Sequence, residues 1–191
     1  MGVRAVFLVG FMASGKSSVG QELARRLRWD FVDLDARIES REGQSIPEIF
    51  RHQGEPGFRA AETAALRELT GSLPRESVVA LGGGAFVQEE NRELLRPWPS
   101  VFLEAPMEEL WRRSLEDGIE RPLRNDPAQF ARLYAERLPW YRQATLVVET
   151  SGKDLGSVCE GIESALGLVP VKTGGAGSSG SPAGSETGGS R

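Results

Sequence analysis

A chain of 191 residues, 39% of them hydrophobic, is long enough to bury the core of one domain. Its formal net charge of −4 gives no electrostatic reason to expect nucleic-acid binding, and its single cysteine excludes an intrachain disulfide. Because no apolar run is long enough to cross a bilayer, we expect a cytoplasmic protein without a membrane partner.

The first segment combines a short apolar strand, a glycine-rich loop and an amphipathic helix. Residues 5–9 are apolar, and residues 10–17 read GFMASGKS, which is the G-x-x-x-x-G-K-[ST] pattern of a phosphate-binding loop. The two glycines let backbone amides approach a phosphate, and the following helix adds a partial positive charge. We expect Lys16 to reach the β- and γ-phosphates and Ser17 to reach Mg²⁺. A chance match is the alternative, but the strand and helix on either side argue against it.

The second predicted strand, residues 31–35, ends in two carboxylates. Asp33 and Asp35 are two residues apart, so in a strand both side chains would point to one face, where they could bind Mg²⁺ or a substrate hydroxyl. The alternative is that Asp35 caps the following helix while Asp33 is solvated. The neighbouring phosphate loop favours the first interpretation.

A polar helical region follows at residues 36–53, and it could form a small substrate-binding flap. Its helix start is the sequence Ser-Ile-Pro-Glu at residues 45–48. Residues 54–57 break the chain before an alanine-rich helix over 60–70. Arg59 lies at the start of that helix, where the dipole does not stabilise a cation. Two interpretations of Arg59 are therefore possible: it binds an anionic ligand, or it is an ordinary surface arginine.

The third predicted strand, residues 77–81, runs into Gly82, Gly83 and Gly84. Three successive glycines carry a high conformational entropy in the unfolded chain. Such glycines are expected where a ligand lies directly against the backbone at the end of a strand, because no side chain then blocks its approach. The alternative is that they form a flexible connector.

The rest of the chain continues the alternation of strands and helices. Strands are predicted at 99–104 and 144–149, and helices at 107–115, 128–138 and 155–166. The polar segment within residues 114–127 has the profile of a mobile lid. From residue 170 to 191 the chain is rich in glycine and serine, and we expect this tail to be disordered.

This order of elements predicts an α/β fold with three α/β/α layers around a five-stranded parallel sheet. The phosphate loop, the aspartate pair and the glycines each follow a strand directly. Ligands of such sheets bind beyond the carboxyl ends of the strands, so these three segments are expected to line one crevice.

Taken together, the motifs resemble the bacterial shikimate kinases over about residues 3–167. The resemblance rests on Gly10–Ser17, Asp33–Asp35, Phe58 and Arg59 with Glu62, Leu81–Ala85, Arg121–Leu123, and Arg137 with Pro139 and Tyr141. It implies a kinase domain over 1–169 of the P-loop nucleoside-monophosphate-kinase type, with a substrate-binding insert at about 36–60. It also implies that the γ-phosphoryl group of ATP, with Mg²⁺, is transferred to the 3-hydroxyl of shikimate in aromatic amino-acid biosynthesis, and we expect a monomer.

The resemblance also implies a role for each site residue. The nucleotide would be bound by Ala13, Ser14, Gly15, Lys16, Ser17, Ser18, Arg121 and Lys153. Shikimate would be bound by Asp35, Arg59, Gly82, Gly83, Gly84 and Arg137. Ser17 and Asp33 would serve the metal, and Lys16, Asp35 and Arg121 would act in catalysis. Ala13 departs from the family, which often has glycine there, so we expect altered loop geometry at most.

Three alternative functions fit the sequence less well. A related small-molecule kinase, for example for gluconate, would not be expected to carry the triple glycine together with the arginine pair. A nucleotide switch should carry an Asn-Lys-x-Asp-like segment, which the sequence lacks. A degenerate binding module should have lost Lys16, Asp35 or one of the arginines, and all are present.

Overall fold

The computed structural model describes residues 3–73, 76–116 and 126–170. Its strands are β1 (Ala5–Val9), β2 (Asp30–Asp33), β3 (Ser77–Ala80), β4 (Ser100–Glu104) and β5 (Leu146–Glu149). Its helices are α1 (Lys16–Leu27), α2 (Leu34–Glu42), α3 (Ile46–Gly71), α4 (Glu89–Leu95), α5 (Met107–Glu116), α6 (Pro127–Tyr141) and α7 (Leu155–Leu166). A single 3₁₀ turn at Ala85–Val87 precedes α4.

The strands form one parallel sheet in the order β2-β3-β1-β4-β5. The first strand therefore lies in the centre, between β3 and β4. The chain leaves β1 toward one edge of the sheet and crosses to the other side only after β3. Because strand order reverses at β1, the crevice beyond its carboxyl end is where this class of sheet binds ligands.

The sheet is covered on both faces, which confirms the three-layer prediction. Along β1 alternate side chains enter different cores, since successive residues of a strand point to opposite faces. Phe7 packs with residues of α2, α3 and α6, whereas Val6 and Leu8 pack against α1 and α7. Both faces of β1 are fully buried, which explains why its sequence is continuously apolar rather than alternating.

Two local predictions differ from the structure. The second strand was expected to extend through Asp35, but β2 ends at Asp33 and α2 begins at Leu34. The reason is that Asp33 is an N-cap, with its Oδ1 accepting from the backbone N–H of Asp35 at 2.9 Å. The two carboxylates therefore do not share a strand face, and the capping residue is Asp33 rather than Asp35.

The predicted break after residue 53 is present as a kink within α3. Gly54 has φ 68° and ψ −175°, which is not helical. The helix resumes earlier than residue 60, because Pro56 suits a first helical turn. Arg59 thus lies inside the helix rather than at its start. The start at Ser45 is confirmed, since Glu48 Oε2 accepts from the Ser45 N–H at 2.8 Å.

Helix α4 and the 3₁₀ turn before it were not predicted. Arg121, most of the expected lid and nearly all of the expected tail lie outside the described residues. Within the described ranges, no helix is both long enough and apolar enough to cross a membrane.

Candidate active site

The phosphate-binding loop joins β1 to α1 through three residues in the left-handed region. Gly10 has φ 156° and Gly15 has φ 86°. A Cβ on Gly10 would lie 2.7 Å from Ser14 Oγ, so glycine is required there for the loop to close. Lys16 Nζ donates to the carbonyl oxygens of Gly10 at 2.9 Å and Phe11 at 2.8 Å. These contacts hold the ammonium group over the loop.

Ala13 is the third of these residues, with φ 60°. A side chain in this region costs about 1–2 kcal/mol, because its Cβ crowds the following carbonyl oxygen. The departure from glycine at this position is therefore accommodated by local strain, and the loop keeps its closed shape.

The second segment of the site is the start of α2. Asp35 lies in the first turn of this helix, where the helix dipole favours a negative charge. A Cβ on Gly82 would lie 2.6 Å from Asp35 Oδ1 and 3.1 Å from Glu62 Oε1. The bare backbone of Gly82 is thus what allows these two carboxylates to face the end of β3.

Arg59 and Glu62 form an ion pair on α3, with Arg59 Nη1 and Glu62 Oε2 2.8 Å apart. The Glu62 side chain is fully buried. Burial raises its pKa, the charge of Arg59 opposes that rise, and the charge of Asp35 adds to it. Burial also acts to lower the pKa of Arg59, but its pairing with Glu62 outweighs this, and the pKa is raised overall.

The glycine turn, Gly82–Gly84, lies against both arginines of the predicted substrate site. A Cβ on Gly84 would be only 2.4 Å from Arg59 Nη2, and a Cβ on Gly83 would be 3.6 Å from Arg137 Nη1. Arg137 Nη1 also donates to the Gly83 carbonyl oxygen at 3.2 Å. Two guanidinium groups from distant helices, α3 and α6, therefore reach neighbouring residues of one turn.

Tyr141, for which the sequence motifs predict no role, also contacts the glycine turn. It is buried, it lies one turn after Arg137 on α6, and its hydroxyl donates to the same Gly83 carbonyl oxygen. Burial raises the pKa of Tyr141 to about 12, so its hydroxyl stays protonated at neutral pH. The sequence motifs likewise predict no role for Glu62, although its three-residue spacing from Arg59 on a helix predicts that the two side chains meet.

The phosphate loop and the two aspartates line one cleft of about 530 Å³. The lining residues include Met12, Ala13, Ser14, Gly15, Lys16, Ser17, Ser18, Asp33, Asp35, Leu81, Arg113 and Glu116. Arg113 and Glu116, on α5, were not expected, because nothing in the sequence distinguishes them from other charged residues of that helix. Lys153 is exposed in the loop before α7 and is not among these lining residues.

The cleft contains oxygen atoms of the kind that bind a divalent metal ion. Ser17 stands in the first turn of α1, and Asp33 and Asp35 supply carboxylate oxygens to the same cleft. Mg²⁺ prefers oxygen ligands and usually combines one or two carboxylates with substrate phosphates and water. The described residues contain no group of three or more His, Cys, Asp or Glu that could hold a metal by themselves.

Comparison with known proteins identifies the family of this chain. Residues 12–166 match the model of the shikimate kinase family. A shikimate kinase of Geobacter metallireducens is 47% identical over 160 residues, which cover 82% of this chain and 88% of that protein. One of Halorhodospira halophila is 48% identical over 167 residues, which cover 84% and 92%.

A solved structure gives the same result for the fold. Shikimate kinase from Acinetobacter baumannii in complex with shikimate superposes with a TM-score of 0.77 at 37% identity, over 86% of this chain and 94% of that one. The family match covers residues 12–17 of the phosphate loop, the glycine turn and Arg137. This chain belongs to the shikimate kinase family.

Proposed function

We propose that this protein transfers the γ-phosphoryl group of ATP to the 3-hydroxyl of shikimate, giving shikimate 3-phosphate and ADP. One observation supports this substrate more than any other. Arg59 and Arg137 reach adjacent residues of the glycine turn, on the side of the sheet where the Asp35 carboxylate also lies. Shikimate is a small polyhydroxylated carboxylate, and this set of charges complements it.

In the proposed complex the two arginines bind the carboxylate of shikimate. The planar guanidinium group matches a carboxylate with two parallel hydrogen bonds, which fixes orientation as well as affinity. Glu62 holds Arg59 from the buried side, so the arginine is ordered before shikimate binds. Asp35 accepts hydrogen bonds from the ring hydroxyls, and the glycine turn leaves room for the ring.

ATP is proposed to bind with its phosphates at the loop from Ala13 to Ser18. Backbone amides of the loop and the start of α1 would surround the phosphates, and Lys16 would move from the loop carbonyls to phosphate oxygens. Ser17 and Asp33 would hold Mg²⁺, which when bound would supply positive charge to the phosphates. Arg121 and Lys153 are proposed as further nucleotide contacts.

Phosphoryl transfer needs mainly positioning and charge neutralisation. Asp35 is proposed to orient the 3-hydroxyl toward the γ-phosphate and to accept its proton as the new P–O bond forms. Lys16 would stabilise the charge on the transferred group, with Arg121 as a second cation.

A coupled ADP-release assay with ATP, Mg²⁺ and shikimate tests the proposal. Turnover should exceed the rate with ATP alone, and gluconate should not replace shikimate. Arg59→Ala should raise the KM for shikimate roughly 10- to 100-fold, as expected for a lost charge-assisted contact, and leave the KM for ATP nearly unchanged. Lys16→Ala should abolish transfer.

Arg67→Ala is the matched control for Arg59→Ala, because Arg67 is exposed on the same helix and pairs with Glu90 instead. It should behave as the unmodified protein does. No shikimate-dependent turnover would refute the proposed reaction. An equal loss of ATP affinity in the Arg59 and Lys16 variants would refute the assignment of these residues to different substrates.

A further inference from the structure

Two consecutive residues of α4 bind the segment that follows the glycine turn. Asn91 Nδ2 donates to the carbonyl oxygen of Ala85 at 2.9 Å. Arg92 Nη1 donates to the next two carbonyl oxygens, those of Phe86 at 2.9 Å and Val87 at 2.6 Å. Three successive carbonyl groups of the 3₁₀ turn are therefore held by one pair of side chains, which we call the α4 clamp.

The Asn91 side chain is energetically unfavourable at this position. It is fully buried, and within the described part of the chain its Oδ1 has no hydrogen-bond partner. A buried acceptor without a partner costs about 1–3 kcal/mol, whereas an apolar residue of the same shape would avoid that cost. Stability alone does not account for asparagine here, and what it supplies is the donor to Ala85.

The clamp acts on a segment that is continuous with the glycine turn. The Ala85 N–H donates to the Gly82 carbonyl oxygen at 3.1 Å, and the Val87 N–H donates to that of Gly84 at 3.1 Å. The 3₁₀ turn and the glycine turn therefore form one hydrogen-bonded unit. A shift of Ala85 would displace Gly82 and Gly84, which lie against Asp35 and Arg59.

The same clamp also contacts α6. The Arg92 guanidinium lies over the Trp140 ring, 4.5 Å from its centroid. The next residue is Tyr141, whose hydroxyl donates to the Gly83 carbonyl oxygen, and Arg137 lies one turn earlier. Arg92 thus links the far end of the turn to the helix that carries the second arginine.

From these contacts we propose that Asn91 and Arg92 are positioning residues for shikimate, which hold the glycine turn in register with Asp35, Arg59 and Arg137. This inference rests on the proposed function for the identity of the ligand. Neither residue lines the cleft of the phosphate loop, so the clamp should govern binding of the small substrate and not of the nucleotide. A displacement of about 1 Å at a substrate-binding group is enough to cost on the order of 100-fold in rate.

Steady-state kinetics of Asn91→Leu and Arg92→Gln test the proposal. Leucine branches at the same carbon and has the same number of side-chain heavy atoms, although its methyl groups are bulkier, and it removes the donor and the unsatisfied acceptor together. The melting temperature of each variant is measured alongside the kinetics to establish that it is folded. The KM for shikimate should rise roughly 10-fold or more in both variants, with the KM for ATP within about two-fold of its original value. Arg96→Gln is the matched control, because Arg96 ends the same helix, is exposed and pairs only with Glu93 among the described residues.

Amide hydrogen exchange of the substrate-free protein supplies a readout that does not depend on the identity of the substrate. The Ala85 and Val87 amides should exchange roughly 10-fold faster in Asn91→Leu and Arg92→Gln than in Arg96→Gln, because the turn opens more often without the clamp. Faster exchange without any shikimate turnover in the unmodified protein would overturn the proposed reaction but not the clamp. Unchanged exchange together with an unchanged KM for shikimate would overturn the clamp. If Asn91→Leu does not fold, the KM for shikimate and the amide exchange rates of Arg92→Gln test the proposal in the same way.

Discussion

Glu62 lies where ionisation of its carboxyl group is costly, and the charge of Arg59 offsets part of that cost. Its side chain is fully buried, and Arg59 is the partner that compensates for the lost hydration. Replacing such a pair by apolar residues often leaves a protein as stable or more stable. The pair is therefore better understood as a device that orders Arg59 than as a source of stability.

The raised pKa of Glu62 predicts how Glu62→Gln changes the pH dependence of stability. The folded protein binds the proton of the Glu62 carboxyl group more tightly than the unfolded chain does, where the pKa of this group is near 4.5. Between the two pKa values the folded state binds more protons, so the free energy of unfolding falls as pH rises through this window. Glutamine does not titrate, so the stability of Glu62→Gln relative to the unmodified protein should increase with pH.

Urea unfolding of both proteins at several pH values between about 4 and 8 measures this difference. Glu93→Gln, at an exposed position of α4, is the matched substitution. A stability difference that stays constant with pH, or that shrinks as pH rises, would show that burial does not dominate the titration of Glu62.

Ala13 offers a second test at the scale of one residue. Because its φ is 60°, Ala13→Gly should relieve strain and raise the free energy of unfolding by roughly 1 kcal/mol, after allowing for the greater entropy of glycine in the unfolded chain. Ala135→Gly is the control, since Ala135 is exposed in the middle of α6 with ordinary helical geometry. That change should destabilise the protein by about 1 kcal/mol. Equal losses in the two variants would contradict the strain at Ala13.

At the scale of elements, the glycine turn shows why three small residues occur in succession. Gly82 and Gly84 each lie closer to a charged side chain than any Cβ would allow, whereas a Cβ on Gly83 would make only ordinary contact with Arg137. Glycine is therefore required for steric reasons at positions 82 and 84 but not at position 83. The sequence predicted a ligand against bare backbone, but part of the space belongs to the protein's own carboxylates and guanidinium groups.

This inequality predicts different outcomes for Gly84→Ala and Gly83→Ala. The new methyl group at residue 84 would displace the guanidinium group of Arg59, a group proposed to bind shikimate. Gly84→Ala should raise the KM for shikimate roughly 10-fold or more, and Gly83→Ala should change it by less than about three-fold. Steady-state kinetics with shikimate varied at saturating ATP measures both. Equal effects would mean that crowding of Arg59 is not the cause.

Elements that follow from short-range patterns were predictable, and those that depend on a competing local contact were not. The strand–loop–helix of residues 5–27 and the start of α3 agree with the structure because their capping and turn signals lie within a few residues. The boundary at Asp33 was wrong because its carboxylate caps α2, and an Asp-x-Asp spacing fits a strand end and a helix cap equally well. Helix α4 was missed because it has only 7 residues and a short apolar pattern.

For the whole molecule, the alternation of elements predicted a parallel sheet but not the order of its strands. That order depends on contacts between segments that are far apart in sequence, and only the structure places β1 between β3 and β4. The convergence of the phosphate loop, the aspartates and the glycine turn at one edge was nevertheless predictable, because the carboxyl ends of parallel strands meet there. The contacts of Glu62 and Tyr141 with the glycine turn were not, since each joins the turn to a helix that is distant in the chain.

The composition of the cleft also predicts how the whole molecule responds to loss of metal. The cleft offers a hydroxyl group and one or two carboxylates, a donor set that binds Mg²⁺ together with substrate phosphates, so Mg²⁺ is expected to enter with ATP and not to support the fold. Chelation by EDTA should therefore abolish turnover, while the melting temperature of the substrate-free protein changes by less than about 1 °C. Excess Mg²⁺ should restore turnover fully. The increase in melting temperature that ATP causes should be smaller when the metal is removed, because a ligand stabilises the folded state more when it binds that state more tightly.

Thermal melts with and without ATP, each with and without EDTA, separate these effects. A drop in the melting temperature on chelation alone would mean that the fold itself contains a metal site, and the assignment of Ser17 and Asp33 to a nucleotide-borne ion would have to be abandoned.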